Sequence, residues 1–168
     1  PIGEETIASE LDTHLLEILV QAGQYVKSGQ TLMTLDTTQL ALALANMTEE
    51  IALKDNEIDT KNLNLNSILN EFNGQLELLA VDLDSRQTRQ LRLQQLSEIG
   101  GVSQHDLTEA KLNVKRSKIE IRQIKQKIAD THASTLVEIE GLKLRQSILT
   151  KSQREKQRLM ATATVTAP

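Results

Sequence analysis

Arginine, leucine and serine stand at positions 92, 96 and 103 of the stretch "RLQQLSEIGGVS". The spacing R-x3-L-x6-S offers three kinds of recognition chemistry close together. The guanidinium of Arg92 is a rigid fork of donors suited to carbonyls or carboxylates. Leu96 offers an apolar contact. Ser103 offers a hydroxyl that can take an orphan N–H at a helix start. This is binding chemistry, not bond-making chemistry. The groups that could make or break bonds are scattered: His14, His105 and His132 lie far apart in sequence, without metal-ligand spacing. His105 and Asp106 are adjacent, and neighbours on a helix do not face one another. There is no cysteine, no glycine-rich phosphate loop and no nucleophile elbow. The sequence therefore assigns no catalytic, cofactor-binding or metal-binding residues, and it reads as a non-enzyme.

The elements that must position the triplet are long helices. From Thr38 to Ile99 an apolar heptad runs through Leu44, Ile51, Ile58, Leu65, Phe72, Leu79 and Leu93, with Arg86 as the one polar member. A sevenfold repeat keeps one helical face toward one partner helix. Asp36-Thr37-Thr38-Gln39 supplies an N-cap. Gly100 and Gly101 stop this helix, and Ser103-Gln104-His105-Asp106 resembles a capping box that starts the next. The pattern resumes at Leu107, Val114, Ile121 and Ile128, shifts register, and continues through Ile139, Leu142 and Leu149 to about Met160. Two long helices joined by a three-residue tip, 100–102, must fold back as an antiparallel hairpin. The asparagines between Asn62 and Asn73, with Gly74, are weak helix formers beside an equally weak Thr131–Thr135. That zone is either a soft point or ordinary polar surface.

Composition supports this architecture. Aromatic residues make up 1% of the 168 residues, too few for a large globular core. Residues 38–99 hold ten acidic and five basic side chains, and residues 103–160 hold thirteen basic and seven acidic, so an acidic helix should lie against a basic one. The basic stretch lacks the aromatics or groove-reading motif of a nucleic-acid binder, and nucleic acid is set aside as a partner. No apolar run reaches the ~20 residues needed to span a bilayer. Pro1 and the terminal "TVTAP" read as the ends of a piece of a longer protein, whose membrane anchor would lie elsewhere. Residues 6–36 differ from the rest, with β-rich runs at Leu15 to Val20 and Thr31 to Leu35 and turn signals at Ala22-Gly23-Gln24 and Ser28-Gly29-Gln30. "ATATVTAP" is β-rich again, so the two ends should meet in one small β unit. Half a lobe would leave Ile18, Val20, Val26 and Leu32 under-covered.

The stretch "EILVQAGQYVKSGQTLMTLD" resembles the first half of the lipoyl-like lobe of periplasmic adaptor proteins, the HlyD-like membrane fusion family. In that family a helical hairpin is inserted between the lobe halves, and the second half opens on a strand that Val165-Thr166-Ala167-Pro168 matches. Arg92, Leu96 and Ser103 match the tip residues of adaptors that dock onto TolC-like outer-membrane channels. The resemblance implies a mainly α chain: residues 1–36 as half a lobe, 37–160 as the hairpin with helices 38–99 and 103–160, and 161–168 as the start of the second half. Lys27 lies in a different turn from the modified lysine of true lipoyl domains, so no lipoylation is expected. Asp12-Thr13-His14 departs from the glycine common in the lobe's early turn.

The implied function is that of a conduit subunit in the periplasm of a Gram-negative bacterium, anchored to the inner membrane in the full-length protein. It would link an inner-membrane transporter to a TolC-like channel, with about six copies forming a ring. An ABC transporter of type I secretion is the first choice of partner. Drug-efflux adaptors serving ABC or proton-driven pumps are the alternative, and a generic coiled-coil scaffold is a second class that explains the heptads but neither the lobe nor the tip.

Overall fold

A computed structural model of the chain describes Ser9 and residues 11–167. Residues 1–8 and 10 of the expected lobe, and Pro168 of the strand motif, lie outside the described residues. Among the described residues the order is β1 (Leu15–Ile18), β2 (Thr31–Leu35), α1 (Thr38–Glu98), α2 (Gln104–Ala161) and β3 (Thr164–Thr166). This is the expected mainly α hairpin with a small β lobe: two long helices pack against each other, and a three-stranded antiparallel sheet accompanies them. No described helix is long and apolar enough to cross a membrane. The chain falls into two compact units, Pro1–Glu57 with Leu142–Pro168 (the lobe unit) and Ile58–Gly141 (the tip unit).

In the lobe unit, β2 is the central strand, antiparallel to β1 on one side and β3 on the other. The two ends of the sequence do meet in one sheet. Leu35, Ala163 and Val165 form its buried cluster, with Leu11 and Met33 packed against it. Two turns of one design link β1 to β2. In Gln21–Gln24 and again in Lys27–Gln30 the last N–H bonds back to the first carbonyl, at 3.0 and 2.9 Å. Gly23 and Gly29 supply the positive φ, at 86° and 80°. The third turn position of a type II turn demands that conformation, which is why "AGQ" and "SGQ" repeat. Each closing glutamine also accepts a hydrogen bond from the N–H three residues back, at 2.9 Å (Gln21) and 3.1 Å (Lys27). β1 is shorter than the run Leu15 to Val20 suggested; it ends at Ile18, although Leu19 N still bonds Leu32 O at 2.9 Å. The expected thin cover is seen at Ile18, which is exposed on the edge strand, whereas Val20, Val26 and Leu32 are half-buried.

The heptad reading of α1 holds at every position. Ile58 and Leu65 are buried, and Leu44, Ile51, Phe72, Leu79, Arg86 and Leu93 are half-buried. On α2, Leu107, Ala110, Val114, Ser117 and Ile139 are buried. The register shift expected after Ile128 is not present. Thr135, Leu142 and Leu149 continue the same sevens and are half-buried, and Ile139 is an additional buried position. A threonine at one heptad position mimics a break because its methyl is small and its hydroxyl lowers the apolar signal. Both helices run unbroken through the asparagine-rich zone and past Gly74 and Gly141. Packing of the apolar stripe outweighs a propensity penalty of roughly 1 kcal/mol for each glycine.

Hydrogen bonds between the helices show one antiparallel register in each unit. In the lobe unit Gln153 Nε2 donates to Thr48 Oγ1 at 2.8 Å, and Gln146 donates to Asp55. In the tip unit Lys61 Nζ meets Glu138 Oε2 at 2.6 Å, and Ser117 Oγ donates to Asp82 Oδ2 at 3.0 Å. The acidic helix lies against the basic one as expected, but the charge blocks do not dictate every contact in the tip unit. Its Lys61–Glu138 pair runs against them, with the base on the acidic helix and the acid on the basic one. Side chains this exposed gain about 0–1 kcal/mol from pairing.

Ser117 is 0% exposed. Its hydroxyl and Arg86 Nε, at 2.7 Å, both donate to Asp82 Oδ2. Sliding α2 by one heptad would set Ala110 or Ile124 in place of Ser117, and neither side chain can donate. The network thus penalises wrong registers, a recognised use of polar groups in helix pairs. Ser117→Ala should cost about 0.5–1.5 kcal/mol. Ser117→Leu, which overfills a closed site, should cost roughly 1–3 kcal/mol. Thermal unfolding followed by circular dichroism would order the three proteins, and equal stability of the leucine variant would show that the site is not closed.

Candidate functional site at the hairpin tip

The reversal between the helices is built from two glycines with different tasks. Gly101 N bonds Leu96 O at 2.8 Å and Gly100 N bonds Ser97 O at 3.1 Å, the paired bonds of a Schellman end. Gly100 has φ 74°, as the residue closing such a helix must. Gly101 has an ordinary φ, but a Cβ there would come within 3.2 Å of Leu96 O and 3.7 Å of the Leu96 side chain. The second glycine is thus a matter of room.

Ser103 caps α2. Its Oγ accepts from Asp106 N at 3.1 Å and donates to Asp106 Oδ2 at 2.6 Å. The Ser103 hydroxyl, chiefly, holds the Asp106 carboxyl below the usual carboxylate range, and desolvation opposes it. A negative charge in the first turn of α2 also suits the helix dipole. Across the tip Gln104 Nε2 donates to Ser97 Oγ at 3.2 Å. The sequence-predicted capping box is present, with the consequence that the serine hydroxyl is already engaged in both directions.

The triplet residues are brought to one end of the helix pair, but they are not equivalent there. Arg92 is exposed and, among the described residues, makes no hydrogen bond or ion pair. Leu96 is 36% exposed, and part of its surface covers Gly101. Ser103 is exposed but occupied by the cap. Sequence reasoning missed Ile99, which is 80% exposed at the end of the tip. The available signal was an isoleucine placed directly before the terminating glycine, off the heptad. Among the described residues no three metal-ligating side chains cluster.

No protein-family model matches the chain, and no curated protein matches it in sequence. Solved structures do. The periplasmic adaptor protein EmrA is similar over 93% of this chain and 60% of its own, at 14% identity and a TM-score of 0.45. The soluble domain of LipC, a membrane fusion protein of a type I secretion system, is similar over 99% of this chain and 89% of its own, at 13% identity and a TM-score of 0.46. MacA from Actinobacillus actinomycetemcomitans is similar over 86% of this chain and 38% of its own, at 19% identity and a TM-score of 0.41. The chain thus spans less than two thirds of EmrA and of MacA. The functional reading rests on the tip residues and the lobe motif.

Gly100→Ala forces a Cβ into the left-handed region and should cost about 1–2 kcal/mol, whereas Gly100→Asn, which tolerates that region, should cost less. An equal loss from both, measured by thermal melting, would contradict the Schellman end. Asp36, Asp82 and Asp106 all have lowered pKa values, through hydrogen bonds led by Thr38, Arg86 and Ser103 respectively. Each therefore adds stability above the ordinary aspartate pKa of ~3.9, and loses it as pH falls through the lowered folded value. Thermal stability should hold between about pH 7 and 5 and fall below about pH 4. Asp106→Asn should flatten part of that fall; an unchanged acid limb would remove Asp106 from the account.

Proposed function

We propose that the chain is the lobe-and-hairpin part of a periplasmic adaptor, a non-catalytic subunit joining an inner-membrane transporter to a TolC-like outer-membrane channel through the hairpin tip. The observation that carries this reading is the tip itself. An unpaired guanidinium, a half-exposed leucine and a fully presented isoleucine gather around a turn held rigid by two glycines and a capping box. A rigid, donor-bearing end with an apolar crown is suited to the ends of partner helices, whose last carbonyls lack intrahelical partners. The lobe motif and the Val165-Thr166-Ala167 strand support the same reading, since β3 pairs with β2 as an insertion of the hairpin into one lobe requires.

Type I secretion with an ABC transporter is the first assignment of the export system, and a drug-efflux pump is the alternative. Several copies side by side, about six, would form the conduit in the periplasm, held to the inner membrane by parts of the full-length protein beyond this chain. A scaffold that merely dimerises would need the heptads but has no use for an unpaired arginine beside a presented isoleucine at the reversal.

Arg92→Asp in the full-length protein should abolish export while leaving helicity and membrane level unchanged. Removing an arginine from a partly desolvated contact costs roughly 2–4 kcal/mol in a hot spot. Ser103→Asn keeps a capping side chain and should export nearly normally. Normal export by Arg92→Asp would refute tip docking through this residue.

A further inference from the structure

The acidic first helix carries five basic residues, and three of them, Arg86, Arg89 and Arg92, fall in a single i, i+3, i+6 row. Residues 85–97 contain no acid at all. The row winds around the helix, and its members meet different surroundings. Arg86 is half-buried and spent on Asp82. Arg89 and Arg92 are exposed and line one open groove of about 430 Å³ together with Ser85, Thr88 and Leu93. Four of those five side chains are hydrogen-bond donors. Among the described residues none of the four has a side-chain hydrogen bond or an ion pair. Arg89 acts on Asp106 through its charge, and that carboxyl is already taken by the Ser103 cap.

We propose that this groove is a second recognition element flanking the tip, in which Arg89, with Arg92, Ser85 and Thr88, takes a single carboxylate side chain of the docking partner. The proposal rests on the adaptor reading and deepens it by naming the partner's chemistry. Two hydroxyls and two guanidinium forks match the roughly four acceptor sites of one carboxylate. A larger polyanion fits less well. Around Arg89 the adjoining surface is closed by Asp106 and Glu109 of α2, which would repel further negative charge. Leu93 gives the apolar floor that would cover the methylenes of an aspartate or glutamate. Arg89 is a specificity element: tip contacts at Arg92 and Ile99 can hold any helix end, whereas the groove selects a partner with an acid at one place.

The chain has no cysteine and its lysines are at known positions, so a carboxylate opposite residue 89 can be trapped chemically. Full-length protein carrying Arg89→Lys is mixed with the purified channel in nanodiscs and treated with a water-soluble carbodiimide, which joins an amine to a carboxylate in contact with it. The expected product is an adduct between position 89 and one channel aspartate or glutamate, identified by mass spectrometry. Arg89→Glu should weaken channel binding about tenfold or more, most strongly at low salt, and Arg89→Lys should keep it within about threefold. If Arg89→Glu lowers the melting temperature, Arg89→Gln, neutral and similar in length, takes its place in the binding comparison. An amide formed only with Asp106 or Glu109 of the same chain would show that the groove satisfies itself, and would overturn the proposal. Absence of any adduct at 89, with Arg92→Asp still abolishing binding, overturns the groove and leaves tip docking standing. Normal binding by both Arg92→Asp and Arg89→Glu removes both.

Discussion

The constraint on which the rest depends is the antiparallel register of the two helices. A chain with one phenylalanine and one tyrosine cannot build a broad core, so its folding energy comes from a single narrow stripe repeated along two helices. Such a stripe tolerates sliding by whole heptads unless something forbids it. Two features do. The reversal at Gly100 and Gly101 is too short to let the second helix slip, and the buried Ser117 hydroxyl finds its acceptor on Asp82 in one alignment only. Once that alignment is set, Arg92, Leu96, Ile99 and Ser103 arrive together at one end, and Arg89 faces a groove walled by Ala110 and Asn113 of the other helix.

The tip divides presentation from construction among its residues. Leu96 gives its carbonyl and part of its side chain to the turn, and Ser103 gives both sides of its hydroxyl to the cap. The guanidinium of Arg92 and the side chain of Ile99 have no such task, and Leu96 keeps part of its side chain exposed. The serine in the R-x3-L-x6-S spacing fixes where the second helix starts. A substitution there tests helix geometry first and recognition second.

Much of the fold was legible because long heptads are the strongest signal a sequence carries. The helices, the reversal, the capping box and the meeting of "TLMTLD" with "ATATVT" in one sheet all followed from local patterns. The errors had physical reasons. Thr135 hid a continuing heptad because a half-buried threonine looks polar on paper. The acidic helix does lie against the basic one, but a block charge says nothing about which side chains face each other across the stripe, and Lys61 meets Glu138 against the trend. Ile99 was passed over because it lies off the repeat. Its exposure depends on the direction in which the turn leaves the helix, and no spacing rule encodes that.

In the proposed function the tip region of the hairpin, and not the middle of its helices, meets an outer-membrane channel. A photo-reactive amino acid placed at Ile99 of the full-length protein in its native cell tests this most directly, with Leu78, similarly exposed on the side of the first helix, as the comparison. The account predicts a covalent adduct with the channel from position 99 and none from position 78. Channel adducts from position 78 with none from position 99 would contradict it.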